Sequence, residues 1–280
     1  MNGVIDVGGG LRGIYGAGVF DRCLDDGIYF DVCVGVSAGS ANIASFLAKQ
    51  KGRNYPFYTD YPSRKEYMSA KNVIKKGSYL DLEYIYGVLS REDGENPLDF
   101  DTFFDYKGKM FIVASDGKTG KVHYFTQKDV TRDSLSPFIA SCTLPVFCDA
   151  CKIGDRYYYD GGLADPVPIE KAFKEGCDKV VLILTRPVDF VLPTARDRSG
   201  AVALSRKFPG AAKLLMRRKA LYEEEIKIAE AYAAEGRCLI IAPDDTFGIG
   251  TLTKDEEKLK ALYDKGYADA GRIKEFLSQK

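Results

Sequence analysis

A serine between two glycines, Gly35-Val36-Ser37-Ala38-Gly39, follows the apolar run Val32-Cys33-Val34 and precedes a helical pattern from Ala41 to Lys49. The G-x-S-x-G spacing marks a strand that reverses sharply into a helix. Small residues on both sides relieve the crowding of the strained turn and leave the hydroxyl exposed at the carboxyl edge of a sheet. The following helix amino terminus favours negative charge developing there. Such a serine is aimed as a nucleophile and needs a base. The chain has a single histidine, His123, in Lys121-Val122-His123-Tyr124-Phe125; strand alternation turns it either to solvent or to a core face, and a packing role is the better reading. A carboxylate is the other candidate. Asp160 stands before Gly161 and Gly162, on a tight turn whose backbone can approach another loop, although Asp-Gly-Gly taken alone reads as a hairpin turn.

A second glycine cluster, Gly8-Gly9-Gly10-Leu11-Arg12-Gly13, lies between the first strand pattern and the first helical one. Successive glycines let the backbone come close to a ligand and point amides into one concavity, which suits a phosphate or a tetrahedral oxyanion. The run also fits G-x-G-x-x-G, the dinucleotide fingerprint, so nucleotide binding is an alternative. That alternative needs an acidic residue near the end of the second strand. Here Asp31 begins the strand and Ser37 ends it. Arg12 is unfavourable as a simple solvated cation at a helix amino terminus, which supports a specific role. Cys148-Asp149-Ala150-Cys151 is a C-x-x-C, but it leads into a hairpin-like segment, and neither a second pair nor a nearby histidine completes a zinc site. Two reduced, packed thiols are expected.

The elements that must hold these residues alternate. Strand patterns at 4–7, 32–36, 110–115, 179–185 and 238–242 are interleaved with helical ones at 14–24 and 41–50, which predicts a mostly parallel sheet with helices on both faces. Phe111 to Ala114 and Val180 to Leu184 are unbroken apolar runs, as expected of strands buried on both faces. Tyr124-Phe125 and Tyr157-Tyr158-Tyr159 read as edge or antiparallel additions. The stretch 139–148 begins helix-like and must break near Pro145. From Asn54 to Ser69 tyrosines and prolines interleave, predicting an ordered loop or cap; Tyr55, Tyr58, Tyr61 and Tyr67 suit packing there, or the wall of an acyl-chain cleft. After Arg186 a Pro/Arg/Ser/Gly-containing stretch leads to a long helix over 211–235, and a last helix is expected over 254–279. With no linker and no repeat, residues 1–280 read as one domain with a helical C-terminal extension from 186 to 280.

Composition narrows the classes. The chain has 280 residues, 45% apolar and 29% charged, as an ordinary soluble globular protein does. Forty basic and forty acidic side chains cancel, so bulk charge gives no support for nucleic acid as a partner. The first residues lack the basic and apolar regions of a signal peptide, and no run approaches the ~20 apolar residues of a membrane span. A cytoplasmic location is the expectation, and seven scattered cysteines fit reduced thiols. Arg196, Arg198, Arg206, Lys207, Lys213, Arg217, Arg218 and Lys219 read first as a solvated face; the sharper reading is a peripheral contact with anionic membranes.

Taken together, the motifs resemble the patatin-like phospholipase family, whose pattern is a G-G-G-x-R-G oxyanion loop, a G-x-S-x-G elbow and a D-G-G or D-G-A motif, in that order. Gly8 to Gly13, Gly35 to Gly39 and Asp160 to Gly162 match it, and Ala140-Ser141 through Pro145 is similar to its Ala-Ser-x-x-x-Pro block. The resemblance is strongest over residues 3–185. It implies a three-layer α/β/α sandwich and a serine acyl hydrolase, of phospholipase A or esterase type, acting on a lipid or small ester without metal or cofactor; a non-catalytic regulatory protein on the same fold is the alternative that the intact motifs disfavour. Ser37 and Asp160 would form a dyad, with Gly8, Gly9, Gly10, Arg12 and Gly13 as the oxyanion loop. Gly35 and Gly39 would belong to the elbow, Gly161 and Gly162 to the Asp loop. Burial of Asp160 would strengthen a base whose ordinary pKa is near ~3.9. One departure is Asp165, where family members often carry Asn.

Overall fold

The computed structural model describes residues 1–279. Strand β1 (Asn2–Asp6) leads through a 3-10 turn (Gly10–Gly13) to α1 (Ile14–Asp25), β2 (Val32–Val36) and α2 (Ala38–Leu47). A cap follows, built from α3 (Tyr55–Thr59), α4 (Ala70–Lys76), a π-helical turn (Glu83–Val88) and α5 (Phe100–Asp105). Next come β3 (Lys109–Asp116), β4 (Val122–Thr126), α6 (Ser136–Cys142), β5 (Cys151–Ile153), β6 (Arg156–Asp160), α7 (Ile169–Lys174) and β7 (Lys179–Ile183). The chain closes with α8 (Asp197–Leu204), α9 (Pro209–Ala234), β8 (Cys238–Ile241), α10 (Glu256–Asp269) and α11 (Ile273–Ser278).

The eight strands form one sheet in the order β5-β6-β3-β2-β1-β7-β8, with β4 also on β3. β3, β2, β1, β7 and β8 run parallel, whereas β4, β5 and β6 are antiparallel additions. Period-2 alternation sends successive side chains to opposite faces, so each parallel strand feeds two cores. Val4, Cys33, Met110, Ile112, Val181 and Ile183 pack with α1, α2 and α10 on one face. Ile5, Val34, Phe111, Val113, Val180 and Leu182 pack with α7 and α9 on the other. Strands covered on both sides carry no polar face, which explains the unbroken apolar runs. The result is an α/β sandwich of the expected three-layer, mostly parallel kind.

Several boundaries differ from the sequence expectations for local reasons. The 54–69 segment contains a short helix and a 3-10 turn (Tyr61–Ser63), since Pro56 and Pro62 occupy first-turn positions where no N–H is needed. Its tyrosines Tyr58, Tyr61 and Tyr67 are buried in the core. The last helix is interrupted by a 3-10 turn at Ala270–Arg272, and α8 forms inside the stretch after Arg186. α6 ends at Cys142, three residues before Pro145. Among the described residues no helix is long and apolar enough to cross a membrane.

Candidate active site

Ser37 is the hinge between β2 and α2. Its backbone sits at φ 55° and ψ −135°, a conformation that strains a non-glycine residue by about 1–3 kcal/mol and persists only when its surroundings hold it. They do. The Ser37 N–H donates to Ser141 Oγ at 2.9 Å, and its carbonyl accepts from the Ser40 N–H at 3.0 Å and the Ser40 hydroxyl at 2.7 Å. The flanking glycines are required by close approach: a Cβ on Gly35 would lie 2.7 Å from Ser40 N, and one on Gly39 would lie 2.7 Å from the Asp6 carbonyl carbon.

Strand β3 brings Asp160 to this hinge. Val36 is paired with Val113, and the next β3 residue, Ala114, is paired with Asp160. The last residue of β2 and the last residue of β6 therefore occupy adjacent registers on one strand. Asp160 is fixed by its N–H to the Thr143 carbonyl at 2.8 Å and by the Ser115 hydroxyl on its own carbonyl at 2.8 Å. Its carboxylate accepts from the Gly162 N–H at 2.8 Å. The motif is no hairpin turn: Gly161–Leu163 is a 3-10 turn that carries the chain on toward α7. Burial pushes the Asp160 carboxyl up to about 6, and the hydrogen bonds of the Ser37 hydroxyl and the Gly162 N–H pull the other way.

The glycine loop lies across from these two residues. Gly8, Gly9 and Gly10 all have positive φ, at 63°, 129° and 63°, which only glycine adopts cheaply in succession. The Gly8 N–H donates to Asp6 Oδ1 at 2.8 Å, and the Leu11 N–H to the Thr251 carbonyl at 3.0 Å. Between them, the Gly9 and Gly10 N–H groups have no acceptor among the described residues. The loop residues thus divide: Gly9 and Gly10 hold uncommitted donors, Gly8 is an anchor, and Gly13 packs beneath Tyr58, whose hydroxyl a Cβ would meet at 2.7 Å. Below the loop a buried network ties it to α2. Asn42 Nδ2 donates to Asp6 Oδ2 at 2.9 Å and to the Gly13 carbonyl at 2.8 Å, and the Tyr58 hydroxyl donates to Asn42 Oδ1 at 2.8 Å. Burial raises the Asp6 carboxyl to about 6 as well.

Ser37, Asp160, Gly8 to Gly10 and Arg12 line one cavity of about 870 Å³, within the range of small-molecule sites. Leu144, Val146, Phe147, Leu163, Leu192 and Leu215 give it an apolar lining. Arg12 is 5% exposed and its Nε has no partner; burial, then the charge of Arg186, lowers its guanidinium to about 9. Gly35, Gly39 and Gly161 support the cavity from outside its lining, whereas Gly162 is part of it. His123 is not at the cavity. It is half-buried on β4 with its ring 4.3 Å from Phe125 and 5.3 Å from Tyr158, and burial lowers its pKa. Asp31 accepts from the Asn2 N–H at 2.6 Å, at the amino edge of the sheet, so no carboxylate stands where a ribose would need one. Cys148 and Cys151 are free thiols whose burial holds them protonated, at about 11 and about 12.

Sequence reasoning missed residues that come from far along the chain. Thr185 donates to the Gly8 carbonyl, Thr251 braces Leu11 and Arg12, and Arg186 and Tyr222 line the cavity, joined there by Arg196 and Arg218, which the sequence offers only as part of a solvated or membrane-facing surface. Only the position of Thr185 just past an apolar strand hinted at the site. Asp165 also acquires a partner. It accepts from the Tyr124 hydroxyl and faces Glu225 of α9, whose own carboxylate accepts from the Val167 N–H at 2.6 Å. Burial and the charge of Asp165 raise the Glu225 carboxyl well above its ordinary range.

A model of the patatin-like phospholipases matches residues 7–173, and a second model, of a domain of unknown function, matches residues 208–279. An uncharacterized protein of Escherichia coli (strain K12), YjjU, is 28% identical over 185 residues, 64% of this chain; the chain spans about half (50%) of that relative's length. The crystal structure of VipD from Legionella pneumophila aligns over 99% of this chain and 67% of that one, at 13% identity and a TM-score of 0.47. The glycine loop, serine elbow and Asp turn all lie within the matched 7–173 region, and the chain belongs to the patatin-like phospholipase family.

Proposed function

We propose that this chain is a serine acyl hydrolase acting on lipid or small esters through a Ser37–Asp160 dyad. The observation that carries the reading is the adjacent pairing of Val36 and Asp160 on β3, which sets a strained serine and a buried carboxylate in one cavity. Ser37 Oγ attacks the ester carbonyl while Asp160 takes the hydroxyl proton. The oxyanion is held by the Gly9 and Gly10 N–H groups, with the Arg12 guanidinium in the same cavity. Collapse of the tetrahedral intermediate expels the alcohol, which takes the proton from Asp160. Water then attacks the acyl-enzyme, giving a proton to Asp160 and returning Ser37. A carboxyl raised toward 6 is a stronger base than an ordinary aspartate yet still ionised at pH 7. An apolar lining accommodates an acyl chain. Val146 and Phe147, exposed by 63% and 38% at the cavity, favour approach to a lipid surface. Hydrolysis of p-nitrophenyl butyrate tests the reading: Ser37→Ala and Asp160→Asn should each lose about 10³-fold or more in kcat, and full activity in either variant would refute the dyad.

A further inference from the structure

The cavity's cations are distributed unequally. The arginine ion pairs among the described residues involve Arg22, Arg64, Arg132, Arg218 and Arg237; Arg12, Arg186 and Arg196, all in the cavity lining, have none, and Arg186 is held over the Phe190 ring at 4.4 Å. Arg12 is more than nine-tenths buried, with Nε unsatisfied and only a long bond from Nη1 to Thr251 Oγ1 at 3.4 Å. Half-buried Arg53 shows what a structural arginine looks like here: it donates to Ser45, Ser90 and the Asn96 and Pro97 carbonyls. An unpartnered buried guanidinium is costly unless something else meets it. Arg186 and Tyr222 line the same cavity as Arg12, and the charge of Arg186 adds to burial in lowering Arg12. The carboxylates in the lining are Asp160, beside Ser37, and Asp197, held by Arg218 Nε at 2.8 Å to both oxygens. No carboxylate other than the Asp160 of the dyad is left unpaired in the lining to meet an ammonium group.

We propose that Arg186 and Tyr222 complete, with Arg12, an anion subsite beside the glycine loop, and that the ester taken here carries a net negative phosphate headgroup in preference to a zwitterionic choline one. This deepens the acyl-hydrolase reading and rests on it. Two guanidiniums present forked donors that match phosphate oxygens. They follow the carboxyl ends of neighbouring parallel strands, Arg12 in the turn after β1 and Arg186 in the segment after β7, and Arg186 lies outside the region matched by the patatin-like phospholipase model.

The test compares short-chain lysophosphatidic acid with lysophosphatidylcholine of the same acyl chain, and p-nitrophenyl octanoate as a neutral ester. The acid should be preferred by about tenfold or more in kcat/KM, a difference typical of one charge-assisted contact. Arg186→Gln should erase most of that preference through KM, Arg186→Lys should keep part of it, and Arg206→Gln, exposed and outside the cavity, should keep all of it. Equal kcat/KM for the two lipids, or a preference surviving in Arg186→Gln, would overturn the subsite. In Ser37→Ala, lysophosphatidic acid should raise Tm more than an equal concentration of inorganic phosphate, and an equal rise with phosphate alone would overturn the headgroup assignment. Absence of turnover on all three esters would remove the acyl-hydrolase reading instead, while the Tm comparison still reports on the subsite.

Discussion

The floor and the wall of the cavity are built by different means. The floor, from residues 1–185, is backbone: a serine at positive φ, three glycines at positive φ, and a carboxylate set by strand register. Its polar groups are tied into networks through Asp6, Asn42, Ser141 and Tyr58. The wall, from Arg186 onward, is side chain: Arg186, Leu192, Arg196, Leu215, Arg218 and Tyr222, carried by a loop and by α8 and α9. Machinery made of backbone tolerates almost no change, since Gly8 is pressed against β2 and α2, Gly9 against Thr185 and Gly10 against Thr251. A wall made of side chains can be retuned one residue at a time. On the proposed reading, the floor sets whether an ester is cleaved and the wall sets which ester.

Substitutions should separate the two accordingly. The largest effects belong to the floor: Ser37→Ala and Asp160→Asn should abolish turnover while leaving the fold intact. Asp160→Asn should also be more stable at pH 7 by about 1–3 kcal/mol, since the folded carboxyl is raised to about 6 from an ordinary 3.8. The sign follows from linkage: a carboxyl raised by folding favours the native state below its unfolded pKa, and that contribution is lost as pH rises through about 6. Chemical denaturation at pH 4.5 and 7.5 measures it. Activity runs the other way, with kcat/KM falling about tenfold per pH unit below about 6 as Asp160 takes up its proton, which a pH-rate profile resolves.

Smaller effects test how the floor is supported and how the wall is attached. Tyr58→Phe removes the donor to buried Asn42 Oδ1 and should cost about 1–2 kcal/mol. Activity should fall less than in the dyad variants, because Asn42 still holds Asp6 and the Gly13 carbonyl. Glu225→Gln should have the mildest effect. With the Glu225 carboxyl raised well above its ordinary 4.5 in the folded chain, its contribution to stability declines as pH rises above that value. Glutamine presents a donor toward Asp165 and removes the titration, so the variant should lose that slope in a Tm series from pH 5 to 9.

The difference between floor and wall also explains what was legible in sequence. Glycines needed for positive φ and for close approach leave a spacing that can be read without a structure, so the loop, the elbow and the Asp turn were found together. The parallel sheet was legible because strands buried on both faces, such as 180–184, carry no polar residues. Arg186 and Tyr222 were hidden because a side chain on a loop or long helix has no characteristic neighbours, and α9 presents its basic residues in the pattern of any solvated helix. The division within Gly8 to Gly13 was hidden as well: that Gly8 anchors to Asp6 while Gly9 and Gly10 keep free donors depends on hydrogen bonds that spacing does not encode. Asp165 read only as a departure from the family pattern, and only the fold brings Glu225 beside it.

The central claim concerns the nucleophile and its base, and labelling by an alkyl fluorophosphonate with intact-mass and peptide analysis tests it most directly. The account predicts a single adduct on Ser37 in the wild type, none in Ser37→Ala, and a rate in Asp160→Asn reduced about 10³-fold. An adduct on another residue, or labelling of Asp160→Asn at the wild-type rate, would contradict it.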